Sequence, residues 1–213
     1  MKIFVATGNQ HKKKELSELF SPHEICIPSD IGISFAPDET GNSFIANSLI
    51  KAEALWRITK TPVIADDSGI CVDILDGKPG IFSARYAGKD AVRGSKDCTQ
   101  QEKNTLLLEE AWEAARKQGL GPDAALTCRF VCAMVLYLGK DRFVSAQETI
   151  EGQLVKDIEH ATGKGGFGYD PIVYLPEFGK TIAELTEEEK NRISHRGKAA
   201  TKIRALLENH CLF

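Results

Sequence analysis

No apolar run in this 213-residue sequence is long enough for a membrane. The run through residues 131–138 falls well short of the ~20 residues a spanning helix needs. The N-terminal apolar stretch covers only residues 3–6 before Lys12, Lys13 and Lys14 follow, which does not match a signal peptide, and no membrane partner is expected. None of the six cysteines stands in a C-x-x-C pair, which excludes a zinc knuckle and a thioredoxin-type motif. There is no N-x-[ST] acceptor either, so free thiols in a cytoplasmic protein are expected. A basic excess is also missing. Twenty-seven Lys and Arg face 30 Asp and Glu, a net charge of −3, which counts against a nucleic-acid partner. A local cluster of Lys and Arg inside that balance can still serve a small anion. Hydrophobic residues make up 42% of the chain, which excludes disorder and allows a sizeable core. No repeat or low-complexity linker divides it, so residues 1–213 read as a single domain.

Periodicity and end signals set the elements. Residues 2–6 read as a buried strand, 9–20 as a helix and 24–28 as a short strand. Ile45, Leu49, Ala52 and Trp56 fall at helical spacing, which predicts an amphipathic helix over 42–60. Residues 63–65 and 70–75 read as two strands around an Asp66-Asp67-Ser68-Gly69 turn, with a further turn over 76–80. Thr99-x-x-Glu102 is a capping box for a helix running to about Gln118 and closed by Gly119. Residues 125–138 and 142–154 form an antiparallel hairpin turning at 139–141, and 172–175 is a strand. Thr186-x-x-Glu189 is a second capping box, and Ser194 starts a last helix with Ala199, Ile203 and Leu206 on one face. Strands alternating with helices, plus a hairpin, predict an α/β fold with a mixed sheet and flanking helices.

Two familiar nucleotide motifs fail on context. Residues 163–168 match G-x-G-x-x-G, but Tyr169-Asp170-Pro171 and a strand follow instead of the helix that a dinucleotide fingerprint opens. Gly179-Lys180-Thr181 resembles the end of a P-loop, but Tyr174 stands where the first glycine is required.

Four constellations carry chemistry. In Thr7-Gly8-Asn9-Gln10-His11-Lys12, a strand turns into a helix whose N-terminus suits a phosphate, with Lys12 one turn in. The same residues also read as an Asn9 N-cap with a solvated lysine face. In Ile64-Ala65-Asp66-Asp67-Ser68-Gly69, a strand delivers adjacent carboxylates on opposite faces. One of them can hold Mg²⁺ or take a proton from water, and Glu39 is a second acid for a metal. In Gly166-Phe167-Gly168-Tyr169-Asp170, glycines beside an aromatic admit a flat ligand that Phe167 can stack on. In Lys190-x-x-x-x-His195-Arg196, basic side chains occupy a helix first turn against the dipole, which suggests that their donors are used for a keto oxygen or phosphate.

Taken in order with Glu39-Thr40-Gly41…Asn47…Lys51 and Pro79-Gly80-Ile81-x-Ser83-Ala84-Arg85, these motifs resemble the inosine triphosphate pyrophosphatase family over nearly the whole chain, closest to its bacterial dITP/XTP branch. The resemblance implies a Mg²⁺-dependent enzyme that cleaves ITP, dITP or XTP to the monophosphate and pyrophosphate and so removes deaminated purines. It also implies a homodimer with a mixed-sheet α/β fold and two lobes around a central cleft.

By position, it implies that residues 7–12 (Thr7, Gly8, Asn9, Gln10, His11, Lys12) bind the triphosphate. Asp67 becomes the catalytic carboxylate and a metal ligand, Glu39 assists with metal, and Ser68 touches substrate. Phe167, Gly168, Tyr169 and Asp170 hold base and sugar, and Lys190, His195 and Arg196 contact base or phosphates. Lys51 and Arg85 are further phosphate-side residues. The sequence departs from the pattern at Ala46, where bacterial relatives commonly carry Glu, and in a long stretch over 87–103. The alternatives are a Maf-like pyrophosphatase of different base specificity and a non-catalytic nucleotide sensor.

Overall fold

The structure, a computed structural model, describes residues 2–87 and 98–209. Most of the long stretch over 87–103 therefore lies outside the described residues, as does Cys211. Strand β1 (Lys2–Val5) leads into helix α1 (Gln10–Leu19) and strand β2 (Glu24–Cys26). Helix α2 (Phe44–Thr59) precedes β3 (Val63–Val72) and the short β4 (Lys78–Pro79). Helix α3 (Gln100–Lys117) is followed by the long strands β5 (Thr127–Gly139) and β6 (Arg142–Leu154). Then come β7 (Val173–Leu175), β8 (Lys180–Thr181), α4 (Glu187–Ile193) and α5 (His195–Asn209). The strands hydrogen-bond in the order β2-β1-β3-β5-β6-β7-β8, with β4 beside β3. β1 is parallel to β2 and β3, whereas β3–β4, β6–β7 and β7–β8 are antiparallel. This is the mixed-sheet α/β fold with flanking helices that the element pattern predicts.

The chain divides into two compact units. The first draws on Met1–Asp67, Val131–Thr149 and Asn191–Phe213, the second on Ser68–Phe130 and Ile150–Lys190. In the first unit the period-2 alternation of the strands sorts side chains into two cores. Ile3, Val5, Ile64, Met134 and Leu136 pack with Leu16 of α1 and Ala199, Ala200 and Ile203 of α5. Phe4, Ala6, Val63, Ala65, Val135 and Tyr137 pack with Ala52 and Leu55 of α2. The predicted α2 stripe is present, with Ala52 buried and Ile45, Leu49 and Trp56 packed against that core. The helix ends at Lys60 in a left-handed conformation, two residues before Pro62.

In the second unit, α3 carries the predicted capping box at Thr99 and Glu102 and buries Leu107, Leu108, Ala111 and Ala115. Gly119 follows it at φ +76°, as a helix stop requires. The Thr186–Glu189 box also forms, with Glu189 accepting from Thr186 N at 2.8 Å and Thr186 Oγ1 accepting from Glu189 N at 3.1 Å.

One expectation is overturned. Residues 66–69 form no turn, because β3 runs unbroken through Asp-Asp-Ser-Gly for ten residues. The backbone stays extended within a sheet where β3 lies between β1 and β5 with β4 also paired to it, and its two carboxylates meet cations on opposite faces. Gly69 is there for close approach: an added Cβ would lie 2.3 Å from Gly80 O and 2.4 Å from Ser83 Oγ. The reversal comes later, at Asp76 (φ +54°) and Gly77 (φ +78°), and returns Lys78–Pro79 against Val72 and Cys71.

Candidate active site

The strand alternation that sorts the two cores also separates the two aspartates. Asp66 continues the Ile64 face, toward α1 and α5. Asp67 continues the Val63–Ala65 face, toward α2.

On the first face, Arg196, in the first turn of α5, donates from Nε and Nη2 to Asp66 Oδ2 at 3.2 and 3.1 Å and from Nη1 to Glu15 at 2.7 Å. Lys12 of α1 reaches Asp66 Oδ2 at 3.0 Å and the Asp66 carbonyl at 3.4 Å. Burial disfavours the Asp66 carboxylate, but Lys12, Arg196 and Lys51 outweigh it and hold the group well below the usual range. The contacts from Lys12 and Arg196 all go to Oδ2, as does that of Cys132 Sγ at 3.9 Å. Oδ1 is buried without a hydrogen-bond partner among the described residues.

On the second face, Lys51 Nζ lies 2.9 Å from Asp67 Oδ1 and 3.2 Å from Glu39 Oε1. Asn47, one turn earlier on α2, donates to Asp67 Oδ2 at 3.2 Å. Burial pulls the Lys51 ammonium down, but Asp67, Asp66 and Glu39 outweigh it and keep its pKa above the ordinary lysine value. Two carboxylates therefore converge on one buried cation. Among the described residues no three His, Cys, Asp or Glu gather as a metal cage. Mg²⁺ is commonly held by one or two carboxylates plus substrate phosphates, and Asp67 with Glu39 fit that hard-oxygen donor set.

The remaining candidates take distinct places. Thr7 Oγ1 accepts from Asn9 N at 3.1 Å, and Asn9 Oδ1 caps α1 by accepting from His11 N at 2.8 Å and Lys12 N at 3.3 Å. The capping reading of Asn9 thus holds. Gly8, Gln10 and His11 are exposed at the same helix start. Ser68 follows Asp67 on β3. His195 is buried beside Arg196 at the start of α5, where Ser194 Oγ accepts from Gly197 N at 3.0 Å.

In the second unit, Asp170 Oδ2 accepts from Phe167 N and Lys190 Nζ, both at 2.8 Å, and Lys190 Nζ lies 4.8 Å from the Phe167 ring centre. Gly166 is at φ +70°, and a Cβ there would lie 2.1 Å from Asp170 Oδ2. Asn104 of α3 donates to Gly168 O at 3.4 Å. Tyr169 donates its hydroxyl to Ser83 O at 2.9 Å, and burial pushes its phenol up. Arg85 lies over the exposed Phe82 ring.

Sequence reasoning therefore found Lys12 and Arg196 but not their carboxylate, Asp66. The sequence motif contains Asn47 without pointing to a role for it. The signal for Asn47 is its i, i+4 spacing with Lys51, which puts both on one helix face.

Comparison with known proteins gives the family. The Ham1 family profile matches residues 3–206. The chain is 48% identical over 203 residues to a dITP/XTP pyrophosphatase of Treponema denticola, covering 95% of this chain and 96% of that one. It is 41% identical over 212 residues to the dITP/XTP pyrophosphatase of Escherichia coli, covering 98% of each. Among solved structures, a HAM1 protein from Coxiella burnetii matches with a TM-score of 0.82 at 32% identity, and the Staphylococcus aureus Ham1 protein with 0.75 at 34%. Each match covers 98% of both chains. With motifs, profile and fold in agreement along nearly its whole length, the chain belongs to the Ham1 family.

Proposed function

We propose that this protein is a Mg²⁺-dependent pyrophosphatase that hydrolyses dITP, XTP and ITP to the nucleoside monophosphate and pyrophosphate. In the cytoplasm, as a homodimer built from one catalytic domain per chain, it would clear deaminated purines from the nucleotide pool. The observation that carries this reading is the convergence of Asp67 and Glu39 on the buried Lys51 ammonium.

In this reading, water attacks the α-phosphorus and the bond to the bridging oxygen breaks, releasing pyrophosphate. Asp67 takes the proton of that water. Asp67 and Glu39 would hold Mg²⁺, which when bound neutralises phosphate charge. Lys12 and Lys51 add fixed positive charge where the leaving group gains negative charge. The exposed start of α1, with Thr7, Gly8, Asn9, Gln10 and His11, takes the triphosphate, and Ser68 touches it beside Asp67. Phe167 stacks on the base within the loop that Gly168, Tyr169 and Asp170 shape. Lys190, His195 and Arg196 supply donors to base or phosphates. A 6-keto purine accepts such donors where adenine presents an amino group, so adenine would leave a donor unpaired.

Incubating the purified protein and Mg²⁺ with dITP, XTP, ITP, dATP and a pyrimidine triphosphate, and separating the products, tests this. Monophosphate and pyrophosphate in equal amounts, formed fastest from the 6-keto deaminated purines, is the expected result. Inorganic phosphate as the first product, preference for the pyrimidine, or binding without turnover would refute the reading.

A further inference from the structure

We propose that Asn47 is a positioning residue that clamps Asp67 and ties the Glu39 loop to it, so that the two carboxylates meet in one fixed arrangement. This rests on the pyrophosphatase reading above.

Asn47 is fully buried. Its side chain makes two hydrogen bonds, and their chemistry fixes the orientation of the amide. Gly41 N–H can only donate, so the atom facing it at 2.9 Å is the amide oxygen. The NH₂ group is then directed to Asp67 Oδ2, at 3.2 Å. Lys51, four residues along the same helix face, takes the other oxygen, Oδ1, at 2.9 Å. Helix α2 thus grips both oxygens of one carboxylate. The helix is itself anchored, because Ser48 donates to Ala133 O of β5 at 2.6 Å.

The other end of the amide governs the loop. An added Cβ on Gly41 would lie 2.6 Å from Asn47 Oδ1, 2.8 Å from Ala46 Cβ and 2.9 Å from Asn47 N. The loop backbone therefore lies directly on the first turn of α2, and only glycine allows it. Glu39 stands two residues upstream, with its carboxylate 3.2 Å from the same Lys51 ammonium. One buried amide joins the loop that carries Glu39 to the strand that carries Asp67. A base and its partner acid act only when aligned to within a fraction of an ångström, and misplacement by about 1 Å costs on the order of a hundredfold in rate. A buried amide also carries a desolvation cost that an apolar side chain would not, so its value lies in those two bonds.

The experiment uses the full chain with three variants: Asn47→Asp, Gly41→Ala and Asp67→Asn. Asn47→Asp keeps the volume and the acceptor for Gly41 but removes the donor to Asp67. Gly41→Ala disturbs the loop end alone and serves if Asn47→Asp folds poorly. For both, kcat for dITP should fall by about ten- to a hundredfold while KM stays within about threefold. Independently of activity, protein labelled with ¹⁵N-asparagine should show the Asn47 side-chain amide protons protected from solvent exchange, and Asp67→Asn should weaken that protection. An Asn47→Asp or Gly41→Ala variant that is folded but retains kcat within about threefold overturns the proposal. So does a KM that rises in proportion as kcat falls, or an Asn47 amide that exchanges freely in the unmodified protein. If the unmodified protein hydrolyses none of the nucleotides, the pyrophosphatase reading fails, while the exchange measurement still decides whether Asn47 holds Asp67.

Discussion

Asp66 and Asp67 are neighbours in one strand yet belong to different ion-pair systems. Asp66 is held by Lys12 and Arg196, and Asp67 by Lys51 with Asn47. The alternation of β3 places one carboxylate with Lys12 and Arg196 and the other beside Lys51 and Glu39. Replacing each in turn should therefore produce two different kinds of damage.

Asp67→Asn should lower dITP turnover by about 10²- to 10⁴-fold, the usual worth of a positioned acid–base group. The fold should survive, because Glu39 still pairs with Lys51. Steady-state rates at saturating Mg²⁺, with circular dichroism as the fold control, check this. A near-normal rate would move the base elsewhere.

Asp66→Asn should chiefly cost stability. It leaves Arg196 and Lys12 without their shared carboxylate, and the Asp66 and Arg196 side chains are only 1% and 2% exposed. Breaking a buried pair from one side costs about 3–5 kcal/mol. A urea midpoint unchanged from the unmodified protein would contradict the cluster's structural role.

Lys12→Ala should weaken binding of triphosphate far more than binding of the free nucleoside. Lys12 stands one turn into α1, beside the exposed residues at its start. Titration calorimetry with both ligands reads the difference. Equal losses would confine Lys12 to its contact with Asp66.

Chelation of Mg²⁺ should stop hydrolysis without lowering the melting temperature of the nucleotide-free protein. Asp67 and Glu39 already share the Lys51 ammonium, and Asn47 donates to Asp67, so the fold does not rest on a metal there. A large fall in melting temperature on chelation would point to a structural ion instead.

The cysteines should sort by burial. Burial pushes the thiols of Cys128 and Cys132 up to about 12, so the reactive thiolate at pH 8 is on the order of one part in 10⁴. Alkylation at pH 8 followed by peptide mass spectrometry should label the half-exposed Cys98 well before either. Their labelling should rise only as the pH approaches 12 or the protein unfolds. Rapid labelling of Cys132 in the folded protein would contradict the closed core around it.

The elements with local causes were legible in the sequence. The stripe of α2, the capping boxes at Thr99 and Thr186, and the hairpin of β5 and β6 each follow from residues a few positions apart. β3 was not legible, because Asp-Asp-Ser-Gly carries turn chemistry. What keeps it extended is its place between β1 and β5, and the cations that meet its carboxylates, Lys12, Lys51 and Arg196, are likewise distant in sequence. The unfavourable place of Arg196 at a helix start did signal that its donors are used. Their partners, Asp66 and Glu15, come together only through the sheet and two helices. Asn47 was hidden for the same reason: a buried asparagine reads as nothing in particular until Gly41 and Asp67 stand on either side of it.

The first core has a consequence for synthesis on the ribosome. Ile3, Val5 and Leu16 emerge early, but the residues that cover them, Ala199, Ala200 and Ile203, belong to α5. Until that helix is made, the nascent sheet carries an open apolar face, and Asp66 and Lys12 lack the guanidinium that completes their cluster. Contacts this distant in sequence slow folding and prolong exposure of unpaired strands. A chain truncated before Arg196 should therefore leave that face uncovered and aggregate.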